Sequence, residues 1–346
     1  MTGVSSARTV RGAQDILRDA AMLTLPGLRR AVEELPGGIR HLVGVHFGWW
    51  DEDGVTLAGS AGKAVRPALV LLSCEALGGR RQVALPAAVA VELVHNASLL
   101  HDDIIDGDRL RRGRPALWAS LGAPAAILAG DALFFLATEV IAGAPSPLGG
   151  AAGVRHLTAA VQMLVEGEYA DALLEHQDAV SIAEYAAMAA GKTGALIAAS
   201  CAMGALAAGA HEERVGHLHQ FGAHAGAAFQ IIDDCLGIWG DPAQTGKPRS
   251  DLRSRKKTLP VAAALASEGV AGRRLRTVLS RPGPLTAQDA DAAAALIEEA
   301  GGRQWARREA DRHVQRALER LHAAGPAKSA EAELTAVTEL ITSRSY

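Results

Sequence analysis

The chain has 346 residues, 49% of them hydrophobic and only 4% aromatic, with a formal net charge of −3. Such a chain buries a large aliphatic, alanine-rich core in one large domain or two closely fused ones, and its charge offers no general attraction to nucleic acid or an anionic membrane. Cys74, Cys201 and Cys235 are odd in number and scattered, which argues against a disulfide framework and for reduced thiols in the cytoplasm.

Residues 1–11 read as a disordered start without the continuous apolar stretch of a secretion signal. Ile16, Ala20, Leu23 and Leu28 then recur at helical spacing, Gly37-Gly38 breaks that helix, and Phe47, Trp49 and Trp50 lead into a turn at Asp51-Glu52-Asp53-Gly54. Lys63-Ala64-Val65-Arg66-Pro67 opens an apolar helix over 68–77, Gly78-Gly79 stops it, and Pro86 opens the next.

That helix runs into Leu99-Leu100-His101-Asp102-Asp103-Ile104-Ile105-Asp106. On a helix Asp102 and Asp106 stand one turn apart, about 6 Å along the axis, and face one point, while Asp103 points well round. Two carboxylates aimed at one point call for cations, and oxygen ligands without cysteine or a histidine cage favour magnesium. Taken alone, the string also suits a helix cap or a solvated acidic turn. His95 and Ser98 share the face of Asp102 and Asp106. Gly107-Asp108-Arg109-Leu110-Arg111-Arg112-Gly113-Arg114-Pro115 follows at once, placing guanidinium forks beside the carboxylates as an anion site would require, or as internal salt bridges to Asp103, Asp106 and Asp108.

Further helices are signalled by capping boxes at Ser181-Ile182-Ala183-Glu184 and Thr286-Ala287-Gln288-Asp289. The uncharged, Ala- and Gly-rich stretch 193–210 reads as a buried central helix rather than a membrane span. A second acidic site closes the apolar run Phe229-Gln230-Ile231-Ile232-Asp233-Asp234. A repeated DDxxD would put Asp at 237, where Gly237 stands; Asp241, one turn on, is a candidate replacement. A basic loop with Lys247, Lys256 and Lys257 follows, suited to a mobile lid over phosphate. No alternating strand is evident, so the fold class is all-α, a single large helical bundle.

GKxxRP, HDDxxD with LRRG, KTG, FQxxDD and GK…KKTLP, in this order from about Gly62 to Pro260, resemble the trans-isoprenyl diphosphate synthases of the polyprenyl synthetase family. The resemblance implies an isoprenoid synthase domain over 12–346, with two acidic helices facing each other across a deep cavity, usually in a homodimer. It implies ionisation of an allylic diphosphate, attack by C4 of isopentenyl diphosphate, and proton removal by the departing diphosphate. Three magnesium ions, Mg2+, stabilise the leaving charge. Matched position by position, Asp102 and Asp106 bind two ions and Asp233 a third, with Asp103, Asp234, Asp241 and Lys257 in support. Arg111, Lys192 and Lys247 match ligands of the allylic diphosphate. Lys63, Arg66, His95 and Arg112 match those of isopentenyl diphosphate, which the C-terminal Arg344 and Tyr346 are also placed to reach. Thr193 and Gln230 lie where dipoles stabilise the carbocation.

In this family the depth of the pocket along the first acidic helix sets product length. Ala97 and Ser98 are small, so the floor lies deeper, at Val94 and beyond, with Phe134 and Phe135 as candidate stoppers or ordinary core residues. The expected product is geranylgeranyl diphosphate (C20), with farnesyl or a longer product as alternatives. A class I terpene cyclase would replace the second acidic motif and dispense with Lys63 and Arg66. An HD-type phosphohydrolase would use His101-Asp102 but leaves Asp106 and Asp233 unexplained. A non-catalytic partner subunit tends to lose acidic residues, whereas only position 237 departs here. The stretch 24–54 resembles a bacterial branch found with nanocompartment shells, implying an encapsulating shell protein as a partner.

Overall fold

The computed structural model describes residues 10–57, 62–175, 177, 180–240, 250–281, 283 and 285–343. Two compact units divide the chain: one comprises Met1–Val161, Ala199–His219 and Leu321–Val337, the other Gln162–Ala198, Gln220–Arg320 and Thr338–Tyr346.

In the first unit, α1 (Ala13–Glu33), α3 (Val65–Ala76) and α6 (Ala123–Ala142) pack around α4 (Arg81–Ile105), with α2 (Gly37–Phe47) and α5 (Leu117–Leu121) alongside. Helix α4 is buried on several sides because Ala84, Ala87, Ala88, Ala90 and Ala97 let neighbouring helices approach closely, while Val91, Leu93, Val94 and Leu100 fill the remaining space. Pro86 does not open this helix. It sits in the second turn, where it removes a single backbone hydrogen bond.

Arg11, expected in a disordered start, is instead fixed by carboxylates. It donates to Glu333 through Nη2 at 2.6 Å and through Nε at 2.9 Å, and to Asp19 at 2.8 Å. Arg81 joins the same cluster through Glu75 at 2.8 Å.

One short antiparallel pair interrupts the helices. β1 (Leu110–Arg111) pairs with β2 (Arg114–Pro115), and the two turn residues, Arg112 and Gly113, have φ of 53° and 75°. Positive φ at both central positions is the type I′ geometry that matches strand twist, and it explains the glycine after the paired arginines.

The second unit holds part of α7 (Ala151–Glu175), α8 (Ile182–Ala189), a π-helical turn at Ala190–Gly194, the start of α9 (Ala195–Ala207) and most of α10 (Glu212–Trp239). α11 (Ser250–Arg253), α12 (Leu259–Leu265), α13 (Val270–Leu279), α14 (Ala287–Glu299), most of α15 (Gly302–Ala323) and the end of α16 (Lys328–Thr342) complete it. Ser181 and Glu184 form both halves of a capping box. Thr286 accepts from the Asp289 N–H, and its hydroxyl also donates to the Asp289 carboxylate at 2.6 Å.

Three stretches are long and apolar enough to cross a membrane by length and composition: Arg81–Ile105, Ala123–Ala142 and Ile182–Ala207. Burial in the protein accounts for the first and third, whose apolar windows are 67% and 72% buried; in α6 the figure is 39%.

Candidate active site

The first acidic motif occupies the last turn and a half of α4. His95, Ser98, Asp102 and Asp106 all retain solvent access on one stripe, whereas Val94, Ala97 and Asp103 are buried. Carboxylate oxygens of Asp102 and Asp106 lie within 4.8 Å of one another, with no cysteine or histidine ligand in the group among the described residues. Two hard anionic donors at that spacing fit magnesium.

Asp103 has a different job. Its side chain is 1% exposed and accepts from Arg111 Nε at 2.7 Å and from Arg111 Nη2, while Asp102 lies 3.4 Å from the same guanidinium. Burial pushes the Asp103 carboxyl up, and the Arg111 bond opposes that. Arg111 is thus locked toward the motif by a carboxylate that is itself out of solvent.

The hairpin turn sends Arg112 the other way. A Cβ on Gly62 would come 3.0 Å from Arg112 Nη2, so the backbone just before Lys63 lies against this guanidinium. Arg66 and Arg112 both act electrostatically on His95, whose pKa is held well below its usual range, first by burial and then by these two cations. His95 is therefore neutral and offers an N–H rather than a charge. Buried Glu92 accepts from Asn96 Nδ2 at 3.2 Å; burial pushes its carboxyl up, opposed by the same two arginines. His101 does not point at the acidic pair. Its Nε2 lies 3.2 Å from the Ile127 carbonyl oxygen and its ring meets Phe134 edge-on.

Within the second unit, Lys192 and Thr193 sit on the π-helical turn, an irregularity often found where helices carry function. Lys192 Nζ donates to Glu168 at 2.9 Å and to Asp171 at 2.7 Å. Thr193 donates to Gln230 Oε1 at 2.6 Å, and Gln230 Nε2 donates to Asp234 at 2.9 Å. Asp234 also accepts from the Tyr185 hydroxyl at 2.8 Å and the Leu259 N–H at 3.0 Å. Burial drives its pKa up to about 7 against these bonds, which favour the charged form.

The two motifs share one plan. In each pair the first aspartate, Asp102 or Asp233, keeps solvent access, and the second is buried: Asp234 accepts through both oxygens, Asp103 through Oδ1 alone, its Oδ2 being buried without a hydrogen bond. Lys257 donates to the carbonyls of Leu174 and Glu175 at 3.3 Å each, closing the C-terminus of α7.

Some residues expected at the site stand elsewhere. Phe135 is 78% exposed on α6 and does not line the interior of its own chain, because α6 turns Leu133, Leu136 and Ala137 inward instead. Phe134 is half-buried. Lys247, Asp241, Arg344 and Tyr346 lie outside the described residues. Glu92, Glu168, Asp171 and Tyr185 were not anticipated. The i,i+3 spacing of Glu168 and Asp171 was their one sequence signal.

Residues 49–297 match the polyprenyl synthetase family. The chain is 46% identical over 343 residues to the (2E,6E)-farnesyl diphosphate synthase of Mycobacterium tuberculosis, covering 98% of this chain and 95% of that protein. It is 44% identical over 320 residues to the geranylgeranyl diphosphate synthase of the same organism, covering 92% and 90%. The crystal structure of a polyprenyl synthetase from Streptomyces coelicolor A3(2) superposes with a TM-score of 0.89 at 44% identity, covering 95% of this chain and 99% of that one. With these matches and the paired acidic motifs, the chain belongs to the polyprenyl synthetase family and is a trans-prenyltransferase that makes short-chain prenyl diphosphates.

Proposed function

We propose that the enzyme condenses isopentenyl diphosphate with allylic diphosphates as far as geranylgeranyl diphosphate. The observation that carries this reading is the face of α4 below Asp102: Ser98, one turn down, is small and keeps solvent access, and the next residue down that face, Val94, is fully buried, as is the small Ala97 beside it. A tail can therefore pass the first turn below the carboxylates before meeting packed core. Farnesyl diphosphate is the competing product.

Asp102 and Asp106 are assigned as ligands of two magnesium ions and Asp233 as ligand of a third. When bound, these ions neutralise charge developing on the departing diphosphate. Arg111, Lys192 and Lys247 are assigned to the allylic diphosphate, and Lys63, Arg66, His95 and Arg112 to isopentenyl diphosphate. The support is electrostatic: Arg111 and Lys192 are cations held in place by carboxylates, while neutral His95 adds a donor without repelling Arg66 and Arg112. Thr193, oriented by Gln230, presents an oxygen dipole that an allylic cation would not readily alkylate.

The exposed stripe of Ile127, Leu128 and Phe135 on α6 supports assembly as a homodimer, and three buried free cysteines suit the cytoplasm. Incubation with labelled isopentenyl diphosphate and each allylic primer, followed by chromatography, tests the reading. A C20 end product supports it, and a C15 end product from every primer overturns it. Phe134→Ala is expected to lengthen the product, and an unchanged length removes Phe134 as a stopper.

A further inference from the structure

Within the second unit, small residues bring α15 close to α10: Ala306 and Ala310 are buried in one apolar cluster with Ile231, Ile232 and Cys235. Two turns back along α10 from Ile231 stands His224, and two turns on along α15 from Ala306 stands His313. The antiparallel register brings these two half-buried imidazoles together. Their Nδ1 atoms lie 3.1 Å apart, and the rings are tilted by 50° with centroids 5.2 Å apart.

A carboxylate stands behind the pair. Glu309, one turn before His313, has an oxygen 3.4 Å from His313 Nε2. It takes the N–H at that nitrogen, which leaves the Nδ1 lone pair of His313 facing His224. A histidine held from behind by a carboxylate is the arrangement that orients a metal-bound imidazole. In this tautomer His224 donates its Nδ1–H to His313. Moving that proton to His224 Nε2 turns both lone pairs toward one point without changing the charge of either ring. Burial is the first cause lowering both pKa values, Arg312 and Arg316 act in the same direction on both, and Glu309 opposes them at His313. Both rings are therefore neutral at neutral pH, the form that binds metals.

Distance and charge narrow the choice of ion. Two nitrogens each about 2.0–2.1 Å from a tetrahedral zinc ion stand about 3.3 Å apart, so closing on the ion needs a shift of only about 0.2 Å from the observed spacing. Arg312 is paired with Glu309, but Arg316 and Arg320 also act on His224 and oppose a bound cation. The attraction must come from nitrogen lone pairs rather than from net charge, which disfavours magnesium and calcium and favours ions that take imidazole.

We propose that His224 and His313 form a binding site for a transition ion of the zinc class, with water in the remaining positions. Nine residues, half a revolution of the helix, separate His224 from Asp233, so the site lies on the opposite side of α10 from the second acidic motif. It is a clip between α10 and α15, and it does not depend on the reaction assigned above.

The test is thermal unfolding of the full chain in excess magnesium chloride, titrated with zinc chloride, beside electron paramagnetic resonance of the chain loaded with one equivalent of copper(II) chloride. A saturable Tm rise with zinc and copper splitting from two imidazole nitrogens are expected. His224→Gln and His313→Gln should each abolish the rise and the two-nitrogen pattern, whereas Asp102→Asn should keep both. Glu309→Gln leaves both ligands in place and weakens the bond that orients one of them. It should raise the zinc concentration at half of the rise about tenfold. A wild-type chain with no zinc-dependent rise overturns the proposal. So does a rise, or a two-nitrogen copper signal, that survives loss of either histidine.

Discussion

Arg111 reaches the acidic end of α4 because Asp103 has given up solvent to hold it, and the strength of that pairing can be measured. Replacing Asp103 by Asn leaves a guanidinium with 26% exposure facing Asp102 and Asp108 at longer range, at 3.4 and 3.8 Å. Breaking a buried pair costs about 3–5 kcal/mol, and the partial exposure of Arg111 lowers the expected loss to about 2–3 kcal/mol in urea unfolding. His46 offers a pH readout in the same unit. Burial, with Arg112 next in effect, lowers its pKa to about 3, and it pairs with Asn96 at 3.2 Å. The native state therefore binds fewer protons than the unfolded chain between about pH 6.5 and pH 3. The stabilising effect is complete above pH 6.5 and is lost as pH falls through that window. At pH 5 the loss from this residue should be about 2 kcal/mol relative to pH 7.5. Urea unfolding of wild type and His46→Gln at both pH values checks it: the variant should lose correspondingly less on acidification, and equal losses would refute the assignment.

At the scale of elements, the π-helical turn that carries Lys192 and Thr193 lies against α7 at a pair of glycines. A Cβ on Gly167 would overlap the Lys192 backbone nitrogen, and one on Gly191 would lie 2.7 Å from the Met163 carbonyl oxygen. The backbones touch where no side chain fits. Gly167→Ala must push the turn away, at about 1–3 kcal/mol in stability. The larger effect should be on turnover, since a displacement near 1 Å can cost about 100-fold. Steady-state kinetics beside a Tm measurement separates the two: kcat/KM should collapse while most of the fold survives. The Lys-Thr-Gly string was legible in the sequence as chemistry, but its backbone was not. A π turn has no periodicity of its own, and Gly167 sits in a different helix with no local pattern to connect it to residue 192. The same limit hid Glu168 and Asp171 as partners of Lys192. By contrast, both acidic motifs were legible, because each aspartate pair follows an apolar run whose helical period sets which carboxylate faces solvent, although α10 itself runs on to Trp239.

Across the whole molecule, the order of motifs and the helical class were readable because alanine-rich apolar runs, proline starts and glycine stops recur throughout. Pro86 misled because a proline in an early turn and a proline at a first turn leave the same mark in sequence. Phe135 misled because α6 turns it outward. A phenylalanine beside core positions reads as core, yet here it is 78% exposed, seven residues from Leu128 at 56% and near Ile127 at 44%. Leu128 and Phe135 share one helical face of α6, with the exposed Asp131 between them. Exposed apolar residues in such a stripe are costly in water and stable only when covered. If a second copy covers them, the chain should run as a particle of about twice 35.8 kDa in light scattering without detergent. Phe135→Glu places a charge on the most exposed residue of the stripe and should shift the particle to the monomer mass, while the far-ultraviolet circular dichroism stays helical. Ala132→Glu, one turn before Leu136 on a half-buried face, should by comparison perturb the fold before it perturbs the assembly. A Phe135→Glu chain that keeps the dimer mass would place the subunit contact on another face and leave the α6 stripe without a partner.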